Sequence, residues 1–164
     1  MTEIEQKFRK YFKPWELVSY KQYHDLGHDP EKIYALFSIK IKEVIVYLRE
    51  SFNVPFIIND WHNYDDLLLV TTIASIEKCN NIDILEQRGY RGDDCKIGSK
   101  NSQHRVGNAF DLTIKGFTPL QARNLIRDRF IKGLPHPIRM EEDVNWVHID
   151  CANYSDKKIK YFKA

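Results

Sequence analysis

The chain has 164 residues, 43% hydrophobic and 29% charged, a balance that fits one globular domain burying roughly 70% of its unfolded surface and argues against disorder. Twenty-five Lys+Arg against 23 Asp+Glu leave a formal net charge of +2. That is too little to mark a nucleic-acid partner, and no apolar run approaches the roughly 18 residues that a membrane span needs.

From the N-terminus, Met1 to Lys10 is charged and carries no apolar h-region, so the sequence predicts synthesis in the cytoplasm without a signal peptide. Phe12 to Ser19 is short and aromatic-rich, expected on the surface of the core. His24 and His28 are four apart, but Gly27 and Asp29-Pro30 argue for a loop there, and the pair is read as non-ligating. A helix is predicted over about 30–50: Asp29 caps it, Pro30 takes the first position, and Ile33, Leu36, Phe37, Val44, Ile45 and Leu48 recur at helical spacing. Pro55 to Asn59 reads as a strand, and Asp65 to Cys79 as a helix by its length. Gly89 to Gly107 is a long glycine-rich loop, a kind that is usually functional or disordered. Thr118-Pro119 opens a second helix to about 131, with Gln121 at capping-box spacing and Gly133 as the stop. The basic run Lys157, Lys158, Lys160 and Lys163 reads as a solvated tail. Cys79, Cys95 and Cys151 are odd in number and far apart, which favours reduced thiols over a disulfide framework. No repeat or linker divides the chain, so residues 1–164 are expected to form one domain, as a monomer.

Two short strands carry the chemistry. In Ala109 to Ile114, alternation turns Phe110, Leu112 and Ile114 to the core and Ala109, Asp111 and Thr113 away from it. In Trp146 to Cys151 it turns Val147, Ile149 and Cys151 inward and Trp146, His148 and Asp150 outward. If the strands share a sheet, Asp111 and His148 lie on one face, and His104 on the glycine-rich loop is the third candidate. Two imidazoles and a carboxylate, with a fourth position for water, are a normal catalytic zinc set. The fold class expected is α+β: one domain, a small mainly antiparallel sheet, the helices at about 30–50 and 118–131 on one face and the zinc site on the other.

The run Ser102 to Asp111 matches S-x-H-x-x-G-x-A-x-D without a gap, and Trp146 to Asp150 matches W-x-H-x-D. Together they resemble the zinc D-alanyl-D-alanine carboxypeptidase family, whose fold group includes the lysostaphin-type endopeptidases and the hedgehog domain. Phe12 to Ser19 resembles that family's F-x-P-x-E-L-V-S opening, and Arg88-Gly89-Tyr90-Arg91 stands where it usually has S-G-x-R. With Ile58 to His62, the pattern looks most like small phage or prophage members, and the resemblance covers about residues 12–152.

The resemblance implies His104, Asp111 and His148 as zinc ligands, and peptidoglycan stem peptides as substrate, cut by a carboxypeptidase or endopeptidase. A phage endolysin or virion-associated lysin of this kind is made in the cytoplasm and reaches the wall by release or on the virion. Ser102 and Gln103 are expected to hold the loop of the first ligand by hydrogen bonds, Ser102 also stands with Arg91 and Arg88 as a substrate-binding candidate, and Gly107 is expected to allow a turn there. Many members place a Glu three residues before the last histidine, where this chain has Asn145. Ile138 to Glu142 looks like the partner strand of the one carrying His148, with Arg139 and Glu141 facing the metal. Glu141 is therefore the candidate base, with Glu142 the alternative if the register slips by one. A solvated turn acid is the competing reading. Asp150 shares the face of His148 and is a candidate to orient it. Arg91 is the candidate for binding a substrate carboxylate or polarising the scissile carbonyl, and Arg88 in place of Ser is a departure that bears on specificity. A zinc-bearing binding or structural module without catalysis is the alternative function.

Overall fold

The computed structural model describes residues 1–58, 89–91 and 101–163. The helix expected at 65–79, Arg88, Cys79 and Cys95 lie outside them. Five helices precede the sheet: α1 (Glu3–Tyr11), α2 (Pro14–Leu17), α3 (Tyr20–Asp25), α4 (Pro30–Ala35) and α5 (Ile39–Phe52). Then come β1 (Phe56–Ile57), a 3-10 turn (Gln103–Val106), β2 (Ala109–Ile114), α6 (Pro119–Leu125), β3 (Ile138–Glu141), β4 (Val147–Asp150) and β5 (Ile159–Phe162).

The strands form one open sheet in the order β1-β2-β4-β3-β5. All neighbours are antiparallel except β3 and β5, which are parallel. The fold is α+β, with a mainly antiparallel sheet as expected. Alternation holds along the central strands: Phe110, Leu112, Ile114, Ile138, Met140, Val147 and Ile149 are buried in one cluster with Phe8 of α1 and Val44, Ile45 and Leu48 of α5. Phe110 stacks on Phe37 at 4.9 Å between ring centroids, and Phe8 lies 6.3 Å from Phe110. Each such buried ring contributes about 2–3 kcal/mol of hydrophobic stabilisation.

Three expectations are corrected. The helix over 30–50 is two helices broken at Leu36-Phe37-Ser38. Ser38 caps α5 by accepting the Ile41 N–H, while its own N–H donates to the Gly107 carbonyl at 2.9 Å. The break therefore ties α5 to the loop that carries His104. The aromatic segment 12–19 is part of the core rather than a cover on it: Phe12, Leu17 and Val18 are fully buried. The basic run is not a loose tail but contains strand β5, paired residue for residue with β3, while Lys157, Lys158, Lys160 and Lys163 themselves stay exposed as expected.

Other expectations hold with changes of detail. The Thr118–Gln121 capping box is present, but past Leu125 the helix widens into a π turn (Ile126–Phe130) and closes in a 3-10 turn (Ile131–Gly133). A Cβ at Gly133 would lie 2.2 Å from the Tyr47 hydroxyl, so a larger residue there would have to displace that ring. The predicted strand at 55–59 is reduced to Phe56–Ile57 among the described residues. Cys151 is a free, buried thiol whose pKa burial pushes up to about 12.

Candidate metal centre

β2 and β4 pair so that Asp111 stands directly opposite His148. The face they share is turned away from the hydrophobic core, yet it is closed: His104, Asp111 and His148 are all buried. One ligand atom from each converges, all within 4.8 Å of one another. His104 Nε2 is 3.3 Å from Asp111 Oδ2 and 3.4 Å from His148 Nδ1, and His148 Nδ1 is 2.7 Å from Asp111 Oδ1.

His104 arrives on the 3-10 turn, and that turn is fastened on every side. Its end at Gly107 has φ +62, and a Cβ there would lie 1.7 Å from the Leu36 carbonyl oxygen. Gln103 accepts from Asn108 through both its backbone carbonyl (2.9 Å) and its side-chain oxygen (3.0 Å), and Ser38 Oγ donates to Asn108 Oδ1 at 2.7 Å. Gln103 thus holds the loop as expected, while Ser102 contributes through its carbonyl, which accepts the Arg105 N–H. The His104 Nδ1–H donates to the Gly89 carbonyl at 2.9 Å. A carbonyl only accepts, so Nδ1 carries the proton of this bond and Nε2 is the ring atom that faces Asp111 and His148.

His148 is fixed from the opposite side. Its Nε2–H donates to Asp150 Oδ2 at 3.0 Å, which turns Nδ1 toward Asp111. Asp150 is in turn gripped by Arg139, with Nε at 2.8 Å from Oδ1 and Nη2 at 2.9 Å from Oδ2, and by the Ala152 N–H at 2.9 Å. A carboxylate behind one imidazole and a backbone carbonyl behind the other are usual ways to orient a metal-binding histidine and raise its basicity.

The electrostatics follow. Burial disfavours charge on both Asp111 and His148, but their mutual contacts prevail. The hydrogen bonds of His104 and His148 hold Asp111 well below the usual carboxylate range. Asp111 and Asp150 push His148 up to about 9 despite its burial. A site this eager for positive charge suits either a proton or a cation, and with two imidazoles and one carboxylate the donor set fits a divalent metal.

The remaining candidates are distributed around this trio. Arg91 Nη2 lies 3.4 Å from Asp111 Oδ2, and the Arg91 N–H donates to the His104 carbonyl at 3.3 Å. The parallel bridge between Val18 and Tyr90 seats this short segment against α2. Glu141 is buried, and the β3–β4 register, which pairs Met140 with Ile149, carries Glu141 next to His148. Among the described residues no hydrogen-bond or ion-pair partner engages its carboxylate. Glu142 lies one residue past β3, where its N–H donates to the Phe162 carbonyl, so the register favours Glu141 over Glu142. Asn145 is exposed in the turn between β3 and β4.

Sequence reasoning missed two features. Arg139 was placed on this face by alternation, but its grip on Asp150 depends on the strand register. The Gly89 carbonyl carries no side-chain signal at all. His24 and His28 pair with each other at 2.9 Å on the exposed surface, apart from this trio. No family model, no curated protein and no solved structure matches the chain.

Proposed function

We propose that the protein is a zinc-dependent peptidase acting on peptidoglycan stem peptides, as its resemblance to the zinc D-alanyl-D-alanine carboxypeptidases implies. The observation that carries this reading is the buried convergence of His104, Asp111 and His148, with each imidazole tautomer set by a partner behind it. Zinc held by these three side chains would lower the pKa of a bound water toward about 7 and polarise the scissile carbonyl. The chain's own residues supply the rest. A Glu141 carboxylate oxygen accepts a proton from the attacking water and later delivers it to the leaving amine nitrogen. Arg91 offers a guanidinium at the rim of the same site to a substrate carboxylate or carbonyl oxygen. Asp150 and Arg139 keep His148 in its ligating orientation throughout. The partner is a wall peptide, met by a monomer that is made in the cytoplasm and reaches the wall on lysis or as a virion component.

Incubating the zinc-loaded protein with purified muropeptides, read by mass spectrometry, tests this directly. A defined peptide-bond cleavage supports the reading, and the fragment masses tell carboxypeptidase from endopeptidase. Glu141→Gln should leave zinc content unchanged and lower turnover by about 100-fold or more, the usual worth of a positioned base. If instead Glu142→Gln is inactive and Glu141→Gln is not, the base is misassigned. The second reading, a zinc-bearing binding module, is motivated by Asn145 at the position where many relatives in that family have Glu. Zinc binding with no cleavage of any wall substrate would favour it.

A further inference from the structure

We propose that Phe162 of β5 is a positioning residue of the metal centre, holding the His148 imidazole and the Arg139 guanidinium in the arrangement that aims His148 Nδ1 at the metal. This inference rests on the metal-centre reading above.

β5 runs parallel to β3, with Ile159 beside Ile138 and Phe162 beside Glu141. Ile159 is buried in the core cluster and Tyr161 packs against it. Alternation therefore turns Phe162 to the face that carries His148. Its ring meets the His148 ring edge-on, at 86° and 5.5 Å between centroids. The Arg139 guanidinium lies 4.9 Å from the same ring centroid. Arg139 grips Asp150, and Asp150 accepts from His148 Nε2. The four side chains thus close a ring of contacts with Phe162 as its apolar wall. Arg139 is still 29% exposed, so a cation on the ring face is what keeps its fork aligned with Asp150 instead of turning to water. Without the ring, both His148 and its partner gain freedom to rotate, and Nδ1 loses its fixed aim.

The test compares zinc affinity, by competition with a chromophoric chelator, and the visible spectrum of the cobalt(II)-substituted full chain. Phe162→Ala should lower zinc affinity by about 10–100-fold, the usual effect of losing an outer partner of a metal ligand, and should alter the cobalt bands. Phe162→Tyr, which keeps the ring face, should restore both to near the wild-type values. Ile159→Ala weakens the same strand from its core side and should leave both readouts as in the wild type. If Phe162→Ala proves unfolded by circular dichroism, Phe162→Leu keeps the apolar bulk without the ring and is expected to show the same losses. The inference is overturned if the ring-less variant binds zinc as the wild type does with an unchanged cobalt spectrum. It is equally overturned if Ile159→Ala loses as much affinity, since strand stability would then be the cause. A wild-type chain that binds neither zinc nor cobalt overturns the metal centre itself, which is a different failure.

Discussion

The candidate metal centre has two halves of different construction. Asp111 and His148 stand on neighbouring strands, and their meeting follows from register: alternation chooses the face and pairing chooses the partner. His104 and Arg91 come from chain outside the sheet, and each is placed by backbone hydrogen bonds to a distant segment, His104 to Gly89 and Arg91 to His104. The imidazole of the strand half is backed by side chains (Asp150, Arg139), whereas that of the loop half is backed by the main-chain carbonyl of Gly89. Point mutation therefore reaches the outer partners of one half and not of the other.

The largest effects should be equal in the two halves. His104→Ala and His148→Ala each remove a donor from a three-donor set, and equilibrium dialysis should show zinc affinity falling by more than about 100-fold in either, beyond the range of outer-partner changes. Stoichiometric zinc in either variant would remove that residue from the set. The next effect separates the halves. Asp150→Asn leaves all three donors in place but ends the charge-assisted bond to His148 Nε2, and zinc affinity should fall by about 10–100-fold. An unchanged affinity would mean that the strand half is fixed by register alone.

Acidity should sharpen the contrast further, because the elevated pKa belongs to the strand half. In chelator-treated protein, His148 has its pKa raised from 6.5 to about 9. The stability it contributes is therefore fully present below 6.5 and lost as the pH rises through 9. Denaturant titrations of the chelated chain should show stability declining across that window. Zinc must displace the same proton, so zinc affinity should rise by about tenfold per pH unit up to about 9. A flat profile would place the His148 proton elsewhere.

The smallest effect probes the loop half. Gly27 and Gly107 both have positive φ, but a Cβ at Gly27 meets nothing within 4 Å, whereas at Gly107 it meets the Leu36 carbonyl. Gly27→Ala should cost about 1 kcal/mol for the left-handed backbone alone. Gly107→Ala should cost more than about 2 kcal/mol, since the overlap adds to the strain, and should weaken zinc binding as well. Equal losses in chemical denaturation would show that the Leu36 contact yields easily.

Legibility in the sequence followed the same division. Asp111, His148, Asp150 and Glu141 were readable because period-2 alternation is local and the core residues between them are unambiguous. The cap at Asp29 and the box at Thr118–Gln121 were readable for the same reason. The break at Ser38 was not, because Leu36 and Phe37 continue the helical spacing. What interrupts the helix is Ser38, which caps α5 and donates to Gly107, 69 residues away in the chain by its number. β5 was hidden because Ile159, Tyr161 and Phe162 are interspersed with lysines, and only pairing with β3 distinguishes them from a basic tail. The zinc identity, the substrate and the catalytic assignment are not geometric facts, and they rest on the resemblance and on the chemistry of the donor set.

The sheet order also bears on how the centre assembles in time. β3 and β4 are joined by a short turn, so their hairpin, with Arg139 already facing Asp150, closes over few residues and can form within microseconds. Asp111 must find His148 across 37 positions, and β5 has to cross past β3 to lie parallel on its far side from β4. Contacts of that kind close late, because the chain entropy of a long loop is lost before the contact rewards it. On refolding, the orienting pair on β3 and β4 is thus built before the carboxylate it serves arrives, and metal uptake reports on a later pairing of the sheet rather than on its first.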